Sequence, residues 1–263
     1  MDVHPWRARN RCMKKLNVFP DSTRLAHATA DTFITFGVKA IAAHGRFVVA
    51  LSGGSTPRKT YSLLASKEFA AKLAWEYVHI FWGDERCVSP DHPESNFKMA
   101  RETLLNSIPL PADNIHRIRG ESEPKKAARN YERELQSFFI THNKRRGIRP
   151  GEFTPSFDLI LLDLGEDGHT ASIFPGTAAL RARRRWVVAN HVEKLDVWRI
   201  TLTPIIINAA SNIFFLISGT KKAERLRQVL KGPYVPKALP AQLIRPYDGK
   251  IFWMVDEAAA AFL

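Results

Sequence analysis

Apolar positions along this chain fall into two alternating kinds of block. From Asp21 to His44, Leu25, Ala28, Thr32 and Phe36, with Phe33 and Ile41, recur at helical spacing and predict a first helix. Asp21 and Ser22 can cap its start, and Gly45 can end it. RFVVAL (46–51) is a short apolar run, the signature of a buried strand. After SGGST, Pro57 suits the first turn of a second helix, with Thr56 as its cap and Tyr61, Leu63 and Leu64 along it. YVHIFWG (77–83) predicts the next strand, followed by a long polar loop, DERCVSPDHPES. NFKMARETLLNSI and EPKKAARNYERELQSFFITH read as helices, with IHRI between them as a candidate edge strand. FDLILLDL (157–164) is the most apolar stretch and predicts a central strand. WVVAN (186–190), WRITL (198–202), NIFFLIS (212–218) and KIFWMVD are further strand candidates. TPIIINAA, capped by Thr203 with Pro204 in first position, GTKKAERLRQVLKG, closed by Gly232, and DEAAAAF complete the helices.

Strands that alternate with helices predict an α/β fold, a mostly parallel twisted sheet with helices on both faces. No Pro/Gly/Ser linker divides the chain, so residues 18–263 read as one domain behind a basic, poorly ordered extension, 1–17. In such sheets ligands bind beyond the carboxyl ends of the strands. Three loops qualify: Ser52–Thr56, Asp84–Asn96 and Gly165–Gly176.

In the first loop Gly53 and Gly54 let backbone N–H groups converge on an anion, and Ser52, Ser55 and Thr56 add hydroxyls. SGGSTP is a phosphate or sugar-hydroxyl cradle or a bare turn; it is neither a Walker loop nor a dinucleotide fingerprint. In the second, Arg86 can hold a phosphate or carboxylate through its planar fork, or pair internally with Asp84. In the third, Asp167 and His169 flank Gly168. Histidine is the side chain most readily used as a general base near neutral pH, and a neighbouring carboxylate can fix its tautomer. A lone loop histidine is more often structural or simply exposed. Arg199 and Lys222 can reach an anion from beside the sheet, or serve as surface charge. G-x-S-x-G is missing, so a hydrolase of this kind would activate water rather than a serine.

Charge widens the choice of partner without deciding it. The 263 residues carry a formal net charge of +13, which favours anionic partners in general. KRRGIR (144–149) and RARRR (181–185) are solvated faces or a phosphate or nucleic-acid footprint, but no stacking motif, zinc finger or helix-turn-helix accompanies them. Nucleic acid is therefore not expected as a partner. No apolar run is long enough to span a membrane, and the N-terminus lacks the apolar core of a secretory signal. Two cysteines, Cys12 and Cys87, form neither a metal spacing nor a disulfide framework, which suits a reducing cytoplasm.

Taken together, ALSGGSTP (50–57), FWGDERCVSPDHPESNF (81–97), LGEDGHTASIFPG (164–176), RITLTPIIINAA (199–210) and SGTKKAERL (218–226) closely resemble the 6-phosphogluconolactonases, in the family's order and from about Val18 onward. The resemblance implies a Rossmann-like, sugar-phosphate isomerase/deaminase-like fold. It implies a cofactor-free cytosolic enzyme that opens 6-phospho-D-glucono-1,5-lactone to 6-phosphogluconate in the oxidative pentose phosphate pathway. Apart from the resemblance, no cluster has zinc spacing, so no metal is expected, and the chain is expected as a monomer or weak homo-oligomer. By the same resemblance His169 is the general acid/base with Asp167 beside it. Gly53, Gly54, Ser55, Thr56, Asp84, Arg86, Asn96, Gly168, Arg199 and Lys222 would line the phosphosugar site, with Arg86 a candidate for steadying the oxyanion. The related glucosamine-6-phosphate deaminases resemble GHIAFNEPG, with a glutamate where this chain has Phe174; a phenyl ring moves no proton, which disfavours deamination or isomerisation. A sugar-phosphate sensor without turnover is the other alternative. Two departures stand out: Asp163 replaces the glycine of LLGMGxDGHTAS, and VEKLDVW before Arg199 is bulkier than the usual run.

Overall fold

Six parallel strands form the main sheet of the computed structural model, which describes residues 13–145 and 156–263. In chain order the elements are β1 (Met13–Phe19), α1 (Ser22–His44), β2 (Phe47–Leu51), α2 (Ser55–Leu64), α3 (Lys67–Ala70), β3 (Val78–Trp82), β4 (Asp84–Arg86), α4 (Asn96–Thr103) and α5 (Pro124–Arg145). They continue with β5 (Leu159–Leu162), β6 (Val187–Val192), β7 (Val197–Leu202), α6 (Pro204–Ile207), β8 (Asn212–Ile217), α7 (Ala223–Lys231), β9 (Lys250–Asp256) and α8 (Glu257–Ala260). The main sheet runs β1-β9-β8-β5-β2-β3, and every pairing in it is parallel.

β2 and β5 are buried at every position, because helices cover both of their faces. α1 shows how the helices dock. Asp21 Oδ1 accepts from the N–H groups of Thr23 and Arg24, both at 2.8 Å, and Gly45 closes the helix at φ 79°. Leu25, Thr29, Phe33 and Ala40 face inward, and Phe33 meets Phe47 of β2 edge to face at 5.1 Å. Each such fully buried aromatic contributes about 1.5–3 kcal/mol by leaving water.

Several sequence expectations need correction. Residues 13–17 belong to the sheet: β1 pairs with β9 from Met13↔Lys250 to Phe19↔Asp256, and residues 1–12 lie outside the described residues. α2 begins at Ser55 with Gly54 in the cap position, so Thr56 is inside the helix and not its cap. IHRI makes only an isolated bridge, Ile80↔Ile115. β6 and β7 do not join the parallel sheet. They form an antiparallel ribbon, and β4, hidden in the polar loop, adds to it in the order β4-β7-β6. Of KRRGIR, Lys144 and Arg145 end α5 and the rest lies outside the described residues. In RARRR, Arg185 pairs with Glu132 at 2.5 Å, and Glu132 also accepts from Trp186 N at 2.6 Å. That part of the cluster ties the ribbon to α5. Among the described residues no helix is long and apolar enough to cross a membrane.

Candidate active site

The strand order reverses direction at β2 and β5. After β2 the chain crosses to β3 on one side, and after β5 it crosses to β8 on the other. The loops leaving these two neighbours therefore part and leave a crevice at their carboxyl ends. SGGST leaves β2, the His169 loop leaves β5, and the turn carrying Lys222 leaves β8.

The His169 loop is built to hold an imidazole. Gly165 N–H donates to the His169 carbonyl at 2.9 Å, and Gly168 N–H to the Gly165 carbonyl at 2.9 Å. Gly168 adopts φ 87°, a left-handed conformation that side chains rarely tolerate. This curl brings His169 Nδ1 to 2.5 Å from Asp167 Oδ1, which also accepts from His169 N at 3.1 Å. Burial pushes the Asp167 carboxyl up, but the bonds from His169 outweigh it and hold the group below the usual carboxylate value. One face of the imidazole stacks on Phe174, with ring centroids 4.0 Å apart and planes inclined by 21°. Gly165 leaves room for the ring: a β-carbon there would lie 2.1 Å from His169 Cε1 and Nδ1. Nε2 accepts or donates no hydrogen bond among the described residues, and the side chain is 28% exposed.

The end of the loop is fastened to the antiparallel ribbon. Ala171 sits at φ 48°, and Ser172 then donates from Oγ to Asp84 Oδ2 at 2.5 Å and from N to Thr201 Oγ1 at 3.1 Å. Asn190 Nδ2 donates to the Ser172 carbonyl at 2.9 Å. Asp84 is thus committed to Ser172 and does not pair with Arg86. Asn96 donates to the Asp84 carbonyl at 3.0 Å and lies so close to Gly53 that a β-carbon there would be 2.0 Å from its Oδ1. Thr56, Asp84 and Asn96 are all buried, and Asn96, bonded to Asp84 and packed on Gly53, braces the SGGST loop against β4. Gly53, Gly54 and Ser55 are the members of that loop with open surface.

Two cations sit together on the ribbon. Arg86 and Arg199 are cross-strand partners in the β4–β7 pair. Arg86 Nη1 donates to the Glu94 carbonyl at 2.5 Å, and its buried Nε has no partner among the described residues. Burial, then the nearby Arg86 charge, lowers the affinity of Arg199 for its proton. The two guanidiniums make no ion pair with a carboxylate among the described residues, the nearby Asp84 and Glu94 charges offset part of their repulsion, and their planar forks suit an anion. Lys222 stands apart from them, with Nζ 2.5 Å from Asp163 Oδ1.

Sequence reasoning missed several supports. Glu85, 2% exposed, accepts from Asn96 N and Phe97 N at 2.8 Å each and from Ser95 Oγ at 3.1 Å, capping α4 with a buried carboxylate. Burial raises its carboxyl above the ordinary value, against the pull of these N–H groups. Asp256 accepts from Ser218 Oγ and from Gly219 N at 3.0 Å, which fixes the turn that presents Lys222. Ser-Asn after a run of polar residues is a helix-start signal; nothing local marks Glu85 or Asp256 as its partner.

Fold and site together define an open α/β protein whose switch-point crevice holds a histidine–carboxylate pair beside several cations. Residues 20–253 match the family described as glucosamine-6-phosphate isomerases/6-phosphogluconolactonase, and the chain belongs to it. It is 42% identical to the 6-phosphogluconolactonase of a Nostoc species over 95% of this chain and 98% of that protein. It is 34% identical to the Haemophilus influenzae 6-phosphogluconolactonase over 93% and 98% respectively. Among solved structures, the 6-phosphogluconolactonase of Trypanosoma brucei superposes with a TM-score of 0.78 at 27% identity, covering 96% of this chain and all of that one, 100%. A monomeric glucosamine-6-phosphate deaminase, 22% identical with a TM-score of 0.76, shares the fold.

Proposed function

We propose that the chain hydrolyses 6-phospho-D-glucono-1,5-lactone to 6-phosphogluconate, the lactone-opening step of the oxidative pentose phosphate pathway, with His169 as general base. Relatives of that name over nearly the whole length support the reaction. The observation that carries the mechanism is the 2.5 Å Asp167–His169 contact, with Nε2 left unengaged. Asp167 accepts a hydrogen bond from Nδ1–H and so leaves the Nε2 lone pair toward the crevice.

A water held at Nε2 attacks C1 of the lactone as His169 takes its proton. The carbonyl oxygen becomes an oxyanion, which a neighbouring cation or N–H steadies. The C1–ring-oxygen bond then breaks, and the imidazolium returns the proton to the leaving oxygen. Asp167 stays ionised throughout and balances the transient positive charge. Gly53, Gly54, Ser55, Arg86, Arg199 and Lys222 hold the phosphosugar, and binding at that remote end orients C1. Phe174 supports hydrolysis over deamination: it supplies a flat face to the imidazole and no titratable group.

The lactone can be generated in situ and its loss followed against spontaneous opening. The pure protein is expected to accelerate the loss; no acceleration would overturn the reading. A folded His169→Ala variant that kept its full rate would overturn the mechanism and leave the reaction class standing.

A further inference from the structure

Asp163 is the first residue after β5, and its two carboxylate oxygens have different surroundings. Oδ1 accepts from Lys222 Nζ at 2.5 Å and from Leu164 N at 2.7 Å. Oδ2 accepts no hydrogen bond from any described residue. It faces the SGGST turn: a β-carbon on Gly54 would lie 3.1 Å from it. The charged groups facing Asp163 are Lys222, from the turn before α7, and His169, from its own loop; the Gly53–Ser55 turn brings none. Burial raises the Asp163 carboxyl above its ordinary value, and Lys222 offsets this in part.

A carboxylate in this place changes how an anion can bind. A phosphate seated between the SGGST turn and Lys222 puts one of its oxygens beside Asp163 Oδ2, two acceptors facing one another. Ionised, they repel; with one proton between them they form a strong charge-assisted hydrogen bond. The proton is within reach near neutral pH, since a phosphomonoester has its second ionisation near about 6; burial of Asp163 acts in the same direction.

We propose that Asp163 makes this site bind its phosphosugar together with one proton, which lies between Asp163 Oδ2 and a phosphate oxygen while Lys222 Nζ bridges the two anions. The inference rests on the phosphosugar reading above. The proton comes from solvent, and no bond other than its own forms or breaks. Asp163 is thus a specificity-determining residue: it selects the charge state in which the ligand is held.

The test is titration calorimetry with glucitol 6-phosphate, which has the phosphate and hydroxyls but no C1 carboxylate to engage His169. Wild type, Asp163→Asn and Asp163→Gly are compared in two phosphate-free buffers of different ionisation enthalpy. Wild type is expected to take up about one proton per ligand at pH 8, and its Kd to weaken about tenfold per pH unit above 7.5. Both variants are expected to take up almost none, to hold a flat Kd over the same range and to bind more tightly than wild type at pH 8.5. In lactone hydrolysis, the rise of KM with pH is expected to disappear with the carboxylate. Equal uptake in all three proteins, or none in wild type, would overturn the proposal. A wild type that opens the lactone but ignores glucitol 6-phosphate would overturn it and leave the activity standing; failure of both would sink the two together.

Discussion

Replacing Gly165 by alanine tests whether the proposed catalytic geometry depends on a gap of one methyl group. The added carbon would lie 2.1 Å from His169 Cε1 and Nδ1 and 2.9 Å from Asp167 Oδ1. Ordinary contact begins near 3.4 Å, so the imidazole must retreat by more than about 1 Å. Phe174 blocks one face of the ring at 4.0 Å, so the retreat breaks the Asp167 bond or the stack. A misplacement of about 1 Å can cost roughly 10²-fold in rate. Gly165 lies outside the left-handed region, so its backbone tolerates alanine, and the partly exposed ring can swing toward solvent without unfolding the loop. Gly165→Ala is therefore expected to lose on the order of 10²-fold in kcat for lactone opening while its Tm stays within a few degrees of wild type. The assay is the in-situ lactone rate above spontaneous opening, beside a thermal melt. A folded variant within threefold of the wild-type kcat would refute the argument that this close approach sets the ring.

Asp167→Asn keeps the shape of the loop but removes the charge that fixes the His169 tautomer; kcat is expected to fall by on the order of 10²-fold with KM little changed, read from steady-state kinetics across pH. Because Asp167 is held below its ordinary value, its stabilising effect is present above the unfolded carboxylate pKa and fades as pH falls through the lower folded one; acid melts of Asp167→Asn should lack that decline. Glu85→Ala strands the N–H groups that start α4 and is expected to cost about 2–4 kcal/mol in urea unfolding, with an unchanged midpoint counting against the capping role. His79 contacts His116 at 3.2 Å and Phe138 at 4.8 Å, and burial, then the His116 charge, lowers its pKa to about 4. Its unfolded form binds the extra proton first, so stability should fall as pH drops from about 6.5 toward 4, and His79→Gln should flatten that slope in urea midpoints measured against pH.

The elements carried by local signals are legible in the order of the residues. α1 is marked at both ends, by Asp21 and Gly45, and its stripe needs only helical spacing. The Asp167–His169 contact spans two residues, so the glycine curl between them makes it locally. β4 is not legible in this way. Three residues, Asp84 to Arg86, show no alternation of their own, and the strand exists because β7 offers it an edge. The same holds for the direction of β6 and β7. Apolar content marks a strand, but whether the strand runs parallel or antiparallel depends on the connection that delivers it.

Sequence alone determined the α/β alternation, the loops at the strand ends and the residue types those loops offer. All of these rest on residues within a few positions of one another. Tertiary structure alone decided which of the site residues are open to a ligand. Asp84 and Asn96, equal to Arg86 as polar candidates in the sequence, turned inward to Ser172 and to the Gly53 loop. It also gave Asp163 a partner 59 residues away in Lys222. The physical reason is range. Backbone propensity and capping act over a turn or two, whereas an ion pair or a buried hydrogen bond is set by where the sheet order brings two loops together.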